Sequence, residues 1–354
     1  MIIKKYKILD VNLKLVSDSN DFLSSFHKDY HLFEVKSFSP AKIHEFKISI
    51  NDPKSEAKIE TKNKTVALEE HPNKPSFSYQ YVLKKLFELF ENFIIIHAAV
   101  IQKDNTTLAI IGHPGIGKTT ITMELLKNNF SFLSDDFCPF NIKTKLVHPF
   151  PRSLKVIQKG LKKTNAILTK ETFDPLKNNL LVSSKPCHLD KLIFLTAKNT
   201  KDTSYCFKIK FKKDSSSFIS KIKTIYKDID IKPCDNTNLN FDFSYPRNIG
   251  KTKEIKDLIN KYENEYWTCF KKERLNPDFK AQPQINSISP IDAALMLIPN
   301  LKTDKSSIEN LSTSKKAKNL MLFDQLLNIT KNSQSFTLQV GKLDLTLDII
   351  QGLV

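Results

Sequence analysis

Apolar and polar positions follow two rhythms along this chain. Short stretches with a period near two, such as KYKILDVNLKLV and HEFKISI, predict strands in residues 1–80, joined by polar connections. The segment from Asn51 to Pro75 is dense in charge and proline and reads as exposed connection. YVLKKLFELF (Tyr81 to Phe90) changes to helical spacing. Next comes FIIIHAAVIQKDNTTLAIIG, two β-rich runs around a Gln-Lys-Asp-Asn-Thr turn, which predicts a hairpin. From Lys118, TTITMELLKNN carries an apolar stripe at Ile121 and Leu125 and predicts a helix of about three turns. Phe130 to Leu133 returns to strand pattern.

Further on, Leu189 to Thr196 (LDKLIFLT) and Tyr205 to Phe211 read as core strands, and Phe218 to Tyr226 has helical spacing. Residues 230–250 are rich in Asn, Asp and Pro and predict a long loop or insertion. Ser289-Pro290 opens a helix with serine as cap and proline in the first turn. Lys302 to Lys318 is polar, and SFTLQVGKLDLTLDII closes the chain as strands or a strand–helix pair.

The 354 residues, 40% hydrophobic and 26% charged, have a globular balance with length for a substantial core. The longest nearly unbroken apolar run, Phe93 to Ile101, is about half of a membrane-spanning helix. The start, MIIKKYKILD, has no apolar signal core, so the expected location is cytoplasmic. Five cysteines without a C-x-x-C pair agree with reduced thiols, and Cys187-His188 has no second ligand pair for zinc. The formal charge of +17 invites nucleic acid, but only Arg152, Arg247 and Arg274 offer the bidentate fork that phosphate and base recognition favours. Lysine excess of this kind reads as coding bias, and nucleic acid is not the expected partner.

Three of only seven glycines fall at Gly112, Gly115 and Gly117. The local string IIGHPGIGKTT fits G-x-x-x-x-G-K-S/T from Gly112 to Thr119, between a predicted strand and a predicted helix. Such a loop cradles phosphates with backbone N–H groups, aided by the helix N-terminus. The candidate nucleotide-binding residues are therefore Gly112, His113, Pro114, Gly115, Ile116, Gly117, Lys118, Thr119 and Thr120. Lys118 would reach the β- and γ-phosphates of ATP, and Thr119 would ligate Mg²⁺.

The strand after that helix ends in Ser134-Asp135-Asp136. Returning beside the loop's own strand, it would bring one carboxylate to the metal and the other to an attacking hydroxyl as base. The competing reading is an acidic pair capping a turn. His97, fifteen residues before Gly112, is either a core histidine satisfied by backbone or part of the phosphate site. Arg152 is either a clamp on the transferring phosphoryl group or an exposed loop cation, and Arg247 is a weaker candidate for the same clamp.

Taken in order, His97-Ala98-Ala99-Val100, GHPGIGKTT, Leu133-Ser134-Asp135-Asp136 and Phe150-Pro151-Arg152-Ser153-Leu154-Lys155 resemble the HPr kinase-like proteins. Within them the set is similar to the HPr-kinase-related group and the lasso-peptide precursor kinases, closely over residues 90–160. The resemblance implies a mixed-sheet α/β core of the HPr kinase and phosphoenolpyruvate carboxykinase type. Residues 81–354 are expected to form it, with an insertion or long loop around 212–285. Residues 1–80 would be a β-rich region suited to substrate docking. It further implies Lys118, Thr119 and Asp135 on nucleotide and metal, the Asp135/Asp136 pair as base and electrostatic support, and His97 in the same site. Asp135, Asp136, His97, Lys118 and Arg152 are thus the candidate catalytic residues, with Thr119 and Asp135 on Mg²⁺. Related hexameric enzymes make a homo-oligomer an expectation.

Two departures narrow the reading. PFPRSLK is two residues shorter than the family's usual segment, and the glycine-rich second signature with its acidic metal ligand is absent. HPr itself and phosphorolysis are therefore not expected. What remains is an ATP-dependent kinase acting on a hydroxyl, most simply serine, of a peptide or small protein. A small-molecule kinase or a nucleotide-sensing binding protein are the alternatives.

Overall fold

The structure is a computed structural model and describes residues 1–38, 42–51, 56–68, 73–159, 168–178, 180–197, 204–227, 229–233, 240–246, 249–262, 266–274, 277–302 and 315–354. Arg247 and most of the 302–318 segment lie outside the described residues, as do parts of 51–75 and 230–250.

The period-two stretches at the start form β1 (Ile2–Ile8), β2 (Val11–Ser17), β3 (Ile43–Ser49), β4 (Lys58–Thr61) and β5 (Lys64–Ala67), one sheet in sequential order. Helix α1 (Asn20–Tyr30) is capped by Ser19, whose side chain accepts from the Phe22 N–H. Helix α2 (Lys74–Leu89) packs against α1, so the boundary expected at residue 80 falls inside a helix. The N-terminal layer runs on to Leu89. Its core joins Tyr6, Phe22, Phe26, Tyr30 and Leu86 to Phe137 and Phe150 from later in the chain.

The apolar run before the glycine loop is not one strand. It splits at His97 into β6 (Phe93–Ile96) and β7 (Ala98–Lys103), which belong to different sheets. Strand β7 pairs antiparallel with β8 (Thr106–Ile111), the predicted hairpin, closed by Asp104 and Asn105 in left-handed conformation. Helix α3 (Lys118–Lys127) and β9 (Ser131–Ser134) follow, then β10 (Cys138–Asn141), which pairs with β6. A ribbon of β11 (Leu154–Lys159) and β12 (Leu168–Phe173) leads to β13 (Lys191–Thr196).

Residues 204–274 then form a unit of their own: β14 (Ser204–Phe211), α4 (Ser216–Ile225), β15 (Asp230–Pro233), β16 (Asn240–Pro246), α5 (Ile249–Lys261) and β17 (Tyr266–Arg274). The antiparallel order β15-β16-β14-β17 with two helices is the ferredoxin-like split βαβ arrangement. Phe207, Phe218, Phe243, Ile255 and Tyr262 make its core. This corrects two expectations. Tyr205 to Phe211 is not a strand of the main core, and 230–250 holds strands as well as connections. In strand β14, Phe207, Ile209 and Phe211 are buried in this separate core.

The chain returns through β18 (Gln284–Ser287), α6 (Pro290–Leu297), α7 (Lys315–Lys331), β19 (Gln334–Gln339) and α8 (Leu343–Gln351). Ser289 caps α6, with its Oγ accepting from the Asp292 N–H. The main sheet has the order β18-β19-β13-β8-β7-β9, with β19, β13 and β8 mutually parallel. Strict alternation sorts its side chains. Ala109, Ile111, Leu192 and Phe194 face α6 and α7, while Leu108, Ile110, Ile193 and Leu195 face α3 and α8. The protein is thus mixed α/β. Among the described residues no helix is long and apolar enough to cross a membrane.

Candidate functional site

The buried strand β8 ends at Ile111, and the chain turns at once into the glycine loop at the carboxyl edge of the parallel strands. A Cβ on Gly112 would sit 2.9 Å from Ile116 Cγ2 and 3.1 Å from Leu195 Cβ, so this glycine permits the close start of the loop. Gly115 and Gly117 hold φ of 89° and 100°, a region costly for other residues. Gly117 caps α3, whose first amides, Lys118 to Thr120, have no partner within the helix and open onto the loop. His113, Gly115 and Thr120 are exposed, Pro114, Gly117 and Thr119 are half-buried, and Ile116 and Lys118 are buried.

The Lys118 side chain folds back over this loop. Its Nζ donates to Gly112 O at 3.2 Å and to His97 Nε2 at 3.0 Å. On the other side of the ring, His97 Nδ1 lies 2.9 Å from Asp136 O and 3.7 Å from Asp136 Oδ1. An ammonium only donates and a carbonyl only accepts, so the imidazole is the neutral tautomer with its proton on Nδ1. Burial first, and the Lys118 charge second, push His97 down to about 4. The strand break described above puts it there: His97 N donates to Asn300 O at 2.6 Å, so it belongs to neither β6 nor β7. The core-histidine and phosphate-site readings therefore meet in one residue, with its backbone tied down and its ring in the site.

Strand β9 does not lie beside β8 as expected. It pairs with β7, because the β7–β8 hairpin already occupies that neighbouring position. The pairing slips just before the acidic pair, with Val100 opposite Ser134 and Ile101 opposite Phe132. There Asp136 adopts φ of 66°, and the Ser134 hydroxyl donates to Phe137 O. The two carboxylates end up in different surroundings. Asp136 keeps 47% of its side chain exposed, whereas Asp135 is buried and its Oδ1 has no hydrogen-bond partner. Burial, then the neighbouring Asp136 charge, push Asp135 up to about 7, against the pull of Lys118 and Arg152.

Arg152 is not an exposed cation. It is 8% exposed, and its Nη2 donates to Asp29 Oδ2 at 2.7 Å and to Tyr79 OH at 3.1 Å. The guanidinium also lies 5.0 Å from the Tyr30 ring centre and 4.9 Å from that of Phe137. One nitrogen of its fork is committed to the N-terminal layer, its Nε has no hydrogen-bond partner among the described residues, and its charge acts on Asp135. Asp29, Tyr30 and Tyr79 are thus partners that the motif reading passed over. Asp29 lies 123 residues from Arg152, and the local sign of it is an acid on the helix face of Phe22, Phe26 and Tyr30. The side chain of Lys155 lies outside what the structure describes.

Among the described residues no group of three or more His, Cys, Asp or Glu side chains forms a metal cage. The chain matches no protein-family model and no curated protein. Among solved structures it is similar to the HPr(Ser) kinase/phosphatase from Coxiella burnetii, at 15% identity over 48% of this chain and 90% of that one, with a TM-score of 0.22.

Proposed function

We propose that this protein is an ATP-dependent phosphotransferase that acts on a hydroxyl, with serine in a peptide or small protein as its substrate class. The observation that carries the reading is the convergence at one loop of a buried lysine, a neutral histidine and a buried carboxylate with an unpartnered oxygen. A buried carboxylate oxygen without a partner is costly, and a substrate hydroxyl bound there would relieve that cost.

The residues fit a nucleotide and its metal. The glycines and the open amides of Gly117 to Thr120 offer donors to phosphate oxygens, and Lys118 offers a charge. Thr119 would hold Mg²⁺ together with waters and phosphate oxygens. Bound Mg²⁺·ATP supplies the γ-phosphoryl group and draws charge from it. Asp135 takes the proton of the attacking hydroxyl, with a proton affinity raised toward neutrality by burial. His97 does not titrate near neutrality. It holds Lys118 from one side and the Asp136 backbone from the other, fixing the distance between phosphate loop and base. The N-terminal layer shares Phe137 and Phe150 with the region that follows the acidic pair, so a peptide docked on that layer lies near the reacting groups.

Calorimetric titration tests the base of this reading. Mg²⁺·ATP should bind the wild type, and Lys118→Ala should weaken it by at least about tenfold, the scale of one charge-assisted phosphate contact. Equal affinity in the two proteins would overturn the assignment of the loop.

A further inference from the structure

The carboxyl edge of the main sheet has two flanks around the glycine loop. On one, β7 and β9 bring His97, Asp135 and Asp136. On the other, β19 ends beside β13, with Val340 N donating to Thr196 O at 2.9 Å. The segment 277–283 is fastened to that second flank. Lys342 N donates to Ala281 O at 2.9 Å, and Gly341 approaches so closely that a Cβ there would lie 2.1 Å from Ala281 O. The segment is also a tight turn, closed by Ala281 N to Asp278 O at 3.1 Å and Lys280 N to Asp278 Oδ1 at 3.0 Å.

This fastened turn holds Phe279 against the loop. A Cβ on Gly117 would be 3.5 Å from Phe279 Cε1 and 3.8 Å from Cζ, ordinary contact distances. Yet Phe279 is 51% exposed and belongs to none of the hydrophobic clusters among the described residues. No other aromatic ring packs on it there. An aromatic ring beside a phosphate loop, rigidly mounted and open on its remaining surface, has the properties of a stacking surface.

Resting on the reading of Gly112–Thr120 as a phosphate cradle, we propose that Phe279 stacks the nucleobase of the bound nucleotide. The phosphate chain then runs along the loop from the Phe279 flank to the flank of Asp135. Stacking uses the face that every base has, so the site should distinguish weakly between adenine and guanine.

The test compares Mg²⁺ complexes of ATP, GTP and inorganic tripolyphosphate, titrated into wild type, Lys118→Ala, Phe279→Ala and Phe279→Trp. ATP and GTP should bind wild type within about threefold of each other, and Phe279→Ala should weaken both by about tenfold or more. Tripolyphosphate, which has no base, should bind Phe279→Ala and wild type alike, and Phe279→Trp should keep ATP affinity. Unchanged ATP binding in Phe279→Ala would overturn the proposal, as would an equal loss for tripolyphosphate, which would make the ring a support of the loop. Tripolyphosphate binding lost in Lys118→Ala reports the cradle separately. A cradle that binds while Phe279→Ala has no effect refutes the stacking alone, and wild type that binds neither ligand refutes both.

Discussion

Asp135→Asn should lower phosphoryl transfer by about 10²–10⁴-fold, the contribution of a positioned general base, and leave Mg²⁺·ATP affinity within a few-fold of wild type. The amide keeps the shape and removes the proton acceptor. In the wild type the rate should rise with pH through about 7, because the burial that raises Asp135 keeps it protonated in more acid solution. The residual rate of the Asn variant should lack that rise. Stability should move the other way. A folded-state affinity above the unfolded value of 3.8 stabilises the fold below that pH, and this contribution is lost as pH rises through about 7. Asp135→Asn should therefore unfold at higher urea than wild type at pH 8, and the difference should shrink toward pH 4. Near-normal turnover in this variant would dismiss Asp135 as the base.

Asp29→Ala should cost about 3–5 kcal/mol in urea unfolding, the loss expected when one partner of a buried ion pair is removed. The pair is 9% and 7% exposed, far from the solvated regime in which such contacts contribute little. The variant leaves the Arg152 charge with the Tyr79 hydroxyl, two ring faces and the Asp135 carboxyl. Asp29→Leu with Arg152→Met should recover much of the loss, since matched apolar side chains fill a site that no longer holds a charge. A cost below about 1 kcal/mol for Asp29→Ala would show that water reaches the pair. The single variant has a second consequence at a distance. Without Asp29 to offset it, Arg152 pulls harder on Asp135, so the rise in rate with pH should begin at lower pH.

Local patterns made much of this architecture legible. The β7–β8 hairpin, the glycine loop, α3 and the Ser289 cap each depend on residues within one turn or one strand of each other, and each stands where the sequence puts it. The candidate residues His97, Lys118, Asp135 and Asp136 come together because short connections carry them to one edge of the sheet. What the sequence concealed was pairing over distance. The position of β9 next to β7 depends on which strand occupies the neighbouring place, which no local run encodes. Arg152 reads as a phosphoryl clamp or an exposed loop cation, and its buried pairing depends on Asp29 and Tyr79, brought by separate helices. In 204–274 the strand at 205–211 is legible, but no local run tells which sheet it joins, and Asn- and Asp-rich connections hide the regular order of the inserted unit.

That inserted unit has a kinetic consequence. The parallel pairing of β13 with β19 joins Lys191 to Gln334 across 143 residues, a closure that is slow because its entropy must be lost before any contact forms. The unit between them has its own core, and its first and last strands pair from Ser204 to Arg274. Once it has folded, roughly half of the intervening chain no longer counts as loop. By the logarithmic dependence on loop length, that lowers the closure cost by about 0.6 kcal/mol, close to a threefold gain in rate if the closure limits folding. The insertion thus shortens the search that assembles the sheet carrying the site.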